Sequence, residues 1–413
     1  MKISNVFALA VLSLFCLVSC KKNNTPPVAP PVTPPVIGTM NINLSYGAGT
    51  GFFELIISET GGKILLDTLP PFHNSIVATL KTNQTLVDVT LITYDSTGKQ
   101  YVLSTYKGVN PANWSSVLMS GYDAPIANLS SKDASILYTH VPNGNASYLL
   151  LDDYVGTYSS TYDFSIPGQY TLGYQQYSNN NTLYFLLPFS GLYNFHVPKG
   201  LTDTVDLSHM DTAVKVSFTK PAQYTLQSCT LVGIMDTTDY NKSVFLYNNG
   251  SPSFGIPDVE YPKKLVQKFE MHAYATNTNK GTASYFSYGD AVPSTLPLAD
   301  ESAYTINTSQ NNNFSIKFNS SRPTYYYTQW QTGNLLWLIY ASPDSTTLNP
   351  MGLLTSLKSK SLQGGDFSSL ALTRLSFENT QGLDYQGYFP YVSNSDLIKM
   401  KRVATSVGFS KAY

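Results

Sequence analysis

The chain has 413 residues, with 25 Lys and Arg against 26 Asp and Glu, and only 12% of it is charged. Soluble domains usually carry roughly 25% charged residues; here 46 Ser, 41 Thr and 30 Asn supply the polarity, beside 31 Tyr. That composition excludes a coiled coil, a charge-rich disordered chain and a basic nucleic-acid binder, so no nucleic-acid partner is expected.

The first element is an apolar run from Val6 to Val18 behind Lys2, broken only by Ser13. It is shorter than the about 20 residues a membrane-spanning helix needs and has the length of a signal-peptide core. It ends in Leu17-Val18-Ser19-Cys20, which resembles the lipobox of bacterial lipoproteins. The resemblance implies that residues 1–19 are removed and that Cys20 is acylated on sulfur and on its new amine. Several acyl chains hold a protein to a membrane without a spanning helix, so the expected location is the outer membrane, lipid-anchored, with either side open. Residues 20–38 follow as a Pro-rich linker, with Thr25–Pro35 reading TPPVAPPVTPP. Such a sequence populates polyproline II, and at about 3.1 Å per residue it makes a stalk on the order of 40 Å long. The Cys-Lys-Lys start with a short linker is similar to lipoproteins of the Bacteroidota. With Cys16 removed and Cys20 acylated, Cys229 is the thiol left, so no intrachain disulfide is available. Cys229 lies in a strand-like run, Thr225–Val232, and reads as a buried inert thiol.

From Thr39 onward the pattern has period 2. Met40–Tyr46 and Phe53–Ser58 alternate, Gly61-Gly62 turns the chain into Lys63–Asp67, and Leu86–Tyr94 pairs with Gln100–Tyr106 across a turn at Asp95–Gly98. Short strands at this spacing, with no helical stretch between them, predict an all-β chain. The expectation is two to three immunoglobulin-like or Greek-key β-sandwich units in tandem after the stalk. Boundaries are placed at turn-rich stretches, giving a β-sandwich domain at 39–125, a β domain at 126–255 and a β domain with one short helix at 256–413. The tetrapeptide Gln-Tyr-Thr-Leu occurs at 169–172 and at 223–226, which by itself makes no repeat. The helix is predicted after Asn349, a cap, and Pro350, a first-turn residue, with Leu353, Leu354, Leu357 and Leu362 at helical spacing. Gly387–Tyr391 and Ile398–Phe409 read as closing strands.

The sequence contains no nucleophile elbow, no HExxH and no phosphate loop, and its six Glu are scattered. Asp203, Asp206, His209 and Asp211 put three carboxylates and an imidazole within nine residues, where Ca²⁺ or Zn²⁺ could be held; the competing reading is a solvated turn. No other cofactor is expected. Rings are the more suggestive feature. Tyr325, Tyr326, Tyr327 and Trp330 lie on one short segment with Gln329 and Gln331, and sugars stack on flat rings while amides bond hydroxyls. The alternative is that alternate rings point into the core. A third pattern, Asp followed by Ser or Thr and then a small or aliphatic residue, resembles the O-glycosylation sequon of Bacteroidota secreted proteins. It marks Thr68, Ser96, Thr204, Thr212, Thr237 and Ser345, although such pairs also open turns. Together these readings predict an envelope lipoprotein acting as a non-catalytic binding or adhesion module, with a polysaccharide as candidate partner. The alternatives are a structural subunit of an envelope protein assembly and a hydrolase with a dispersed site.

Overall fold

The computed structural model describes residues 36–45, 50–69, 75–95, 99–112, 117–119, 132–141, 144–152, 156–164, 168–176, 182–187, 191–238, 243–249, 259–319, 322–363, 365–393 and 402–413. Residues 1–35, with the expected signal peptide, Cys20 and most of the expected Pro-rich linker, lie outside them. The described chain is all-β, with 28 strands, two α-helices and one 3-10 turn.

Among the described residues the strands fall into four units that share one topology. Unit I comprises β1 (Val36–Ser45), β2 (Thr50–Glu59), β3 (Ile64–Thr68), β4 (Ser75–Thr82), β5 (Val87–Asp95), β6 (Gln100–Val109) and β7 (Val117–Met119). Its strands form a ladder in the order β3-β2-β5-β6 and a small sheet in the order β4-β1-β7, where β1 is antiparallel to β4 and parallel to β7. Unit II comprises β8 (Lys132–Val141), β9 (Gly144–Asp152), β10 (Gly156–Phe164), β11 (Gly168–Gln176), β12 (Thr182–Leu187), β13 (Leu192–His196) and β14 (Thr202–Asp206). It repeats both orders, as β10-β9-β12-β13 (extended by β15, Asp211–Thr212) and β11-β8-β14, with the same parallel partner for its first strand.

Unit III comprises β16 (Val214–Val216), β17 (Tyr224–Ile234), β18 (Ser243–Asn249), β19 (Val259–Tyr261), β20 (Lys268–Asn277) and β21 (Gly281–Gly289). Its orders are β18-β17-β20-β21 and β16-β19, and the seventh place is held by a parallel bridge from Thr219 to Thr295. In unit IV, β23 (Asn313–Phe318), β24 (Tyr325–Thr332), β25 (Leu335–Ala341), β26 (Thr347–Leu348), β27 (Ala371–Thr380) and β28 (Thr405–Ala412) take the first six places. The slot beside β23 is filled by the preceding strand β22 (Tyr304–Gln310), which runs antiparallel to it. The two Gln-Tyr-Thr-Leu segments sit on β11 and at the start of β17, non-equivalent places, so that match is no part of the repeat.

The ladders of units III, IV and I join edge to edge into one twelve-stranded sheet. β21 pairs with β28 antiparallel, and β25 pairs with β6 in parallel from Leu335 opposite Tyr101 to Tyr340 opposite Tyr106. The expected break at 125/126 falls between β7 and β8. The one at 255/256 falls inside unit III, because β17 must pair with β20 to complete its ladder.

Side chains alternate across this sheet. On its first face, Trp330, Trp337, Leu375, Phe377 and Met271 join one core with Phe314, Ile316, Val259 and Tyr261 from the small sheets of units III and IV. On its second face, Leu55, Ile57, Val89 and Leu91 join Leu80 from the small sheet of unit I. Two helices fill what those sheets leave bare. Helix α1 (Pro350–Leu357) begins as the sequence predicts, with the Asn349 side chain accepting from the Gly352 amide, and its Leu354 and Leu357 enter the first-face core that holds Ile56, Ile92 and Leu103. Helix α2 (Tyr385–Ser393) replaces the closing strand expected at 387–391. Asp384 accepts from the Gly387 amide at 2.8 Å, and Tyr385, Tyr388, Phe389 and Val392 follow at i, i+3, i+4 and i+7, so cap and spacing outweigh Pro390. Tyr385 and Phe389 cover unit IV on the second face, against Tyr106, Tyr325 and Tyr340. Beyond α2, the second face over β21 and β28 opens into a groove.

Candidate functional site

The segment chosen from the sequence as a ring platform is mostly interior. Tyr326 and Trp330 are 0% exposed on the first face, where Trp330 meets Phe314 edge-on and donates to the Thr328 hydroxyl. They cannot meet a ligand without unfolding unit IV. Tyr325 points the other way but is roofed by α2, meeting the Tyr388 ring at a tilt with centroids 4.6 Å apart and donating to Glu378 at 3.0 Å. Burial, with Glu378 beside it, holds its phenol well above the ordinary range. Tyr327 is half-buried against Tyr340, Gln329 bonds the Thr373 hydroxyl, and Gln331 is exposed at the strand end. The six residues do not converge on one surface.

The acidic segment also disperses. Asp203 takes the His196 ring and the Lys199 amide, Asp206 takes His140 and the Ser208 amide, Asp211 pairs with Lys264, and His209 is exposed apart from them. The Lys199 amide is the main cause that draws Asp203 down to about 2, and the Ser208 amide does the same for Asp206. Each carboxylate thus closes its own turn, and among the described residues no three metal-type ligands come together. The six Glu are likewise engaged one by one. Glu54 binds Ser359–Ser361, Glu59 pairs with Lys63, Glu260 accepts from Gly191, Glu270 pairs with Arg402, Glu301 pairs with Lys411, and Glu378 collects hydroxyls. Three of the six, Glu54, Glu260 and Glu270, tie one unit to another.

Of the sequon positions, Thr204 and Thr212 are exposed, while Thr68, Thr237 and Ser345 are half-buried, and Ser96 lies outside the described residues. The Thr237 hydroxyl is bonded to Gln267. Cys229 is buried on β17, as expected, and desolvation pushes its thiol up to about 12, which keeps it protonated and unreactive.

A groove on the second face leaves side chains available to a ligand. It is a cavity of about 480 Å³ across the junction of units III and IV. β20, β21, β28 and β27 lie side by side beneath it, so at about 4.8 Å per strand they span about 14 Å at the Cα atoms. One wall is β20, which presents His272 and Tyr274, the latter 43% exposed. The opposite wall is α2, with Tyr388, Tyr391 and Val392. Between them the floor carries the hydroxyls of Ser284 on β21 and Ser406 on β28 beside the Phe286 ring, with Gly408 between Ser284 and Glu378 in register. At one end Arg402 pairs with Glu270, which also receives the His272 ring at 2.7 Å. Burial lowers the His272 pKa, so the imidazole is neutral near pH 7. Phe286 stands edge-on to His272 at 5.0 Å. The sequence signal for this wall is the alternation in Lys268–Asn277. Phe269, Met271, Ala273 and Ala275 point inward, which leaves Glu270, His272, Tyr274 and Thr276 on the opposite face. A trough with rings at the sides and hydroxyls on the floor suits a narrow, hydroxylated chain.

No family model matches the chain, and no curated protein matches it. Among solved structures, a tetra-tandem repeat from the extending region of a large adhesion protein aligns over 84% of this chain and 96% of its own length. It is 11% identical with a TM-score of 0.13, a likeness too slight to carry an argument about fold or function.

Proposed function

We propose that the chain is a lipid-anchored envelope protein whose folded part binds glycan without catalysis, in the trough between units III and IV. The observation that carries this reading is the trough itself. On the second face the small sheet of unit I and α2 cover the neighbouring strands, yet Tyr274 and Val392 remain exposed across a floor of Ser284 and Ser406. Exposed rings give sugars a stacking surface, and serine hydroxyls both donate and accept. Each of the six Glu is engaged with its own partner, so no two of them share a site as a glycosidase pair would. The test is retention of the mature chain on insoluble polysaccharides, comparing wild type with Tyr274→Ala after circular dichroism has verified the fold. Loss of one stacking ring should weaken retention about fivefold. Retention unchanged in Tyr274→Ala places the glycan elsewhere, and no retention by wild type on any polysaccharide removes the reading.

The anchor is tested separately. Intact mass of the membrane-extracted protein should correspond to a chain beginning at acylated Cys20, and Cys20→Ala should accumulate uncleaved precursor. A soluble mature chain with another N-terminus would rule the anchor out.

A further inference from the structure

We infer, resting on the glycan reading above, that the trough selects a neutral polysaccharide chain and rejects an anionic one, with Glu378 as the discriminating residue. Glu378 lies at the foot of the α2 wall and lines the trough. Its Oε2 accepts from the Tyr325 hydroxyl at 3.0 Å and the Tyr388 hydroxyl at 3.1 Å. Its Oε1 accepts from Thr380 at 3.0 Å and Ser406 at 2.7 Å. A carboxylate has about four lone-pair sites, so this one has no acceptor capacity to spare for a ligand hydroxyl. Its negative charge is another matter. All four donors are neutral, and no ion pair to Glu378 forms among the described residues.

The cation in the trough does not offset that charge. Arg402 is paired with Glu270 and lies over the Tyr288 ring, and it is only 18% exposed. His272, beside Glu270, is neutral near pH 7. A uronate or sulfate entering the trough therefore meets an uncompensated carboxylate and, among the described residues that line it, no free positive partner. A neutral chain meets Tyr274, Phe286 and the hydroxyls of Ser284 and Ser406, whose attraction does not depend on charge.

The experiment uses affinity electrophoresis of the full mature chain in gels containing matched polymers: hydroxyethylcellulose against carboxymethylcellulose, and dextran against dextran sulfate. Wild type should be retarded by a neutral polymer and about tenfold less by its anionic counterpart at low salt. The gap should close as salt rises toward 1 M, where the screening length falls to about 3 Å. In Glu378→Gln, which removes the charge while leaving an acceptor oxygen, retention by the anionic polymer should rise several-fold at low salt. Stronger or equal retention by the anionic polymers at low salt overturns the inference and leaves the glycan reading standing. So does an unchanged gap in a folded Glu378→Gln. Absence of retention by all four polymers overturns both. Should Glu378→Gln fail to fold, the salt series on wild type decides alone.

Discussion

Trp337→Ala should destabilise the folded chain by about 3–5 kcal/mol, the range for removing a large ring from a packed interior. Trp337 is 0% exposed at the centre of β25, the strand through which unit IV meets unit I. Its neighbours across the ladders are Trp330 on β24 and Leu103 on β6, so the cavity would open on both sides of the join. Its indole also donates to the Thr105 hydroxyl at 2.9 Å, and Thr105 bonds Thr90 at 2.9 Å, all within a region closed to water. Removal of the indole also leaves those hydroxyls one partner short, which places the loss toward the upper end of that range. Trp337→Phe keeps a ring while losing the donor and part of the indole's volume, and should cost less than Trp337→Ala, about 1–3 kcal/mol. Pairing it with Thr105→Val, which removes the acceptor as well, should recover part of that loss. Urea unfolding followed by far-ultraviolet circular dichroism measures all three. A midpoint for Trp337→Ala within experimental error of wild type would mean that units IV and I do not share this sheet.

What the sequence displays and what it hides divide along the range of the interactions. The hairpin through Gly61-Gly62 is local: Gly62 adopts φ +89°, which glycine takes at no steric cost, and its amide closes on Glu59 at 2.8 Å. The cap at Asn349, the buried strand around Cys229 and the all-β character were legible for the same reason. The alternation of Tyr325, Tyr326 and Tyr327 was legible too, with the middle ring alone on the core side. What covers the outer rings was not. The roof over Tyr325 is α2, some sixty residues later, and its signal of Asp384 followed by Tyr385, Tyr388, Phe389 and Val392 was obscured by Pro390. The parallel pairing of β25 with β6 joins residues more than 230 positions apart, and no local pattern announces it. The fourfold repeat is hidden for a different reason. Its units share strand order, and each fills its core with different side chains, such as Leu55 and Leu91 in unit I against Tyr138 and Phe185 in unit II. Spacing within Asp203–Asp211 suggested a metal site because sequence gives separation and not direction; the strand and turn there send each carboxylate to a different partner.

Glu54→Ala should be the most damaging change of a charged residue, lowering stability by about 3 kcal/mol or more. Glu54 is fully buried on the first face of β2, beneath the segment that follows α1. It accepts from the Ser359 hydroxyl at 2.7 Å and from the amides of Lys360 and Ser361 at 2.9 and 3.0 Å, bonds that span some 305 residues of chain. Burial alone would raise its pKa, but the hydrogen bonds from Ser361, Ser359 and the two amides outweigh it and leave the group below its ordinary value of 4.5. A carboxyl whose pKa is depressed by folding stabilises the fold above its unfolded value and ceases to do so as pH falls through the folded one. The join between units I and IV should therefore weaken as the medium is acidified below about pH 4.5, the unfolded value. Glu54→Gln keeps one acceptor oxygen and has no proton to gain, so it should be less stable than wild type at neutral pH and should lose less on acidification. The local readout is hydrogen exchange at the Lys360 and Ser361 amides, which should quicken sharply in Glu54→Ala and, in wild type, on acidification after correction for the intrinsic rate. If those amides stay as protected in Glu54→Ala as in wild type, the carboxylate is not what holds the segment, and the acid sensitivity must come from another group.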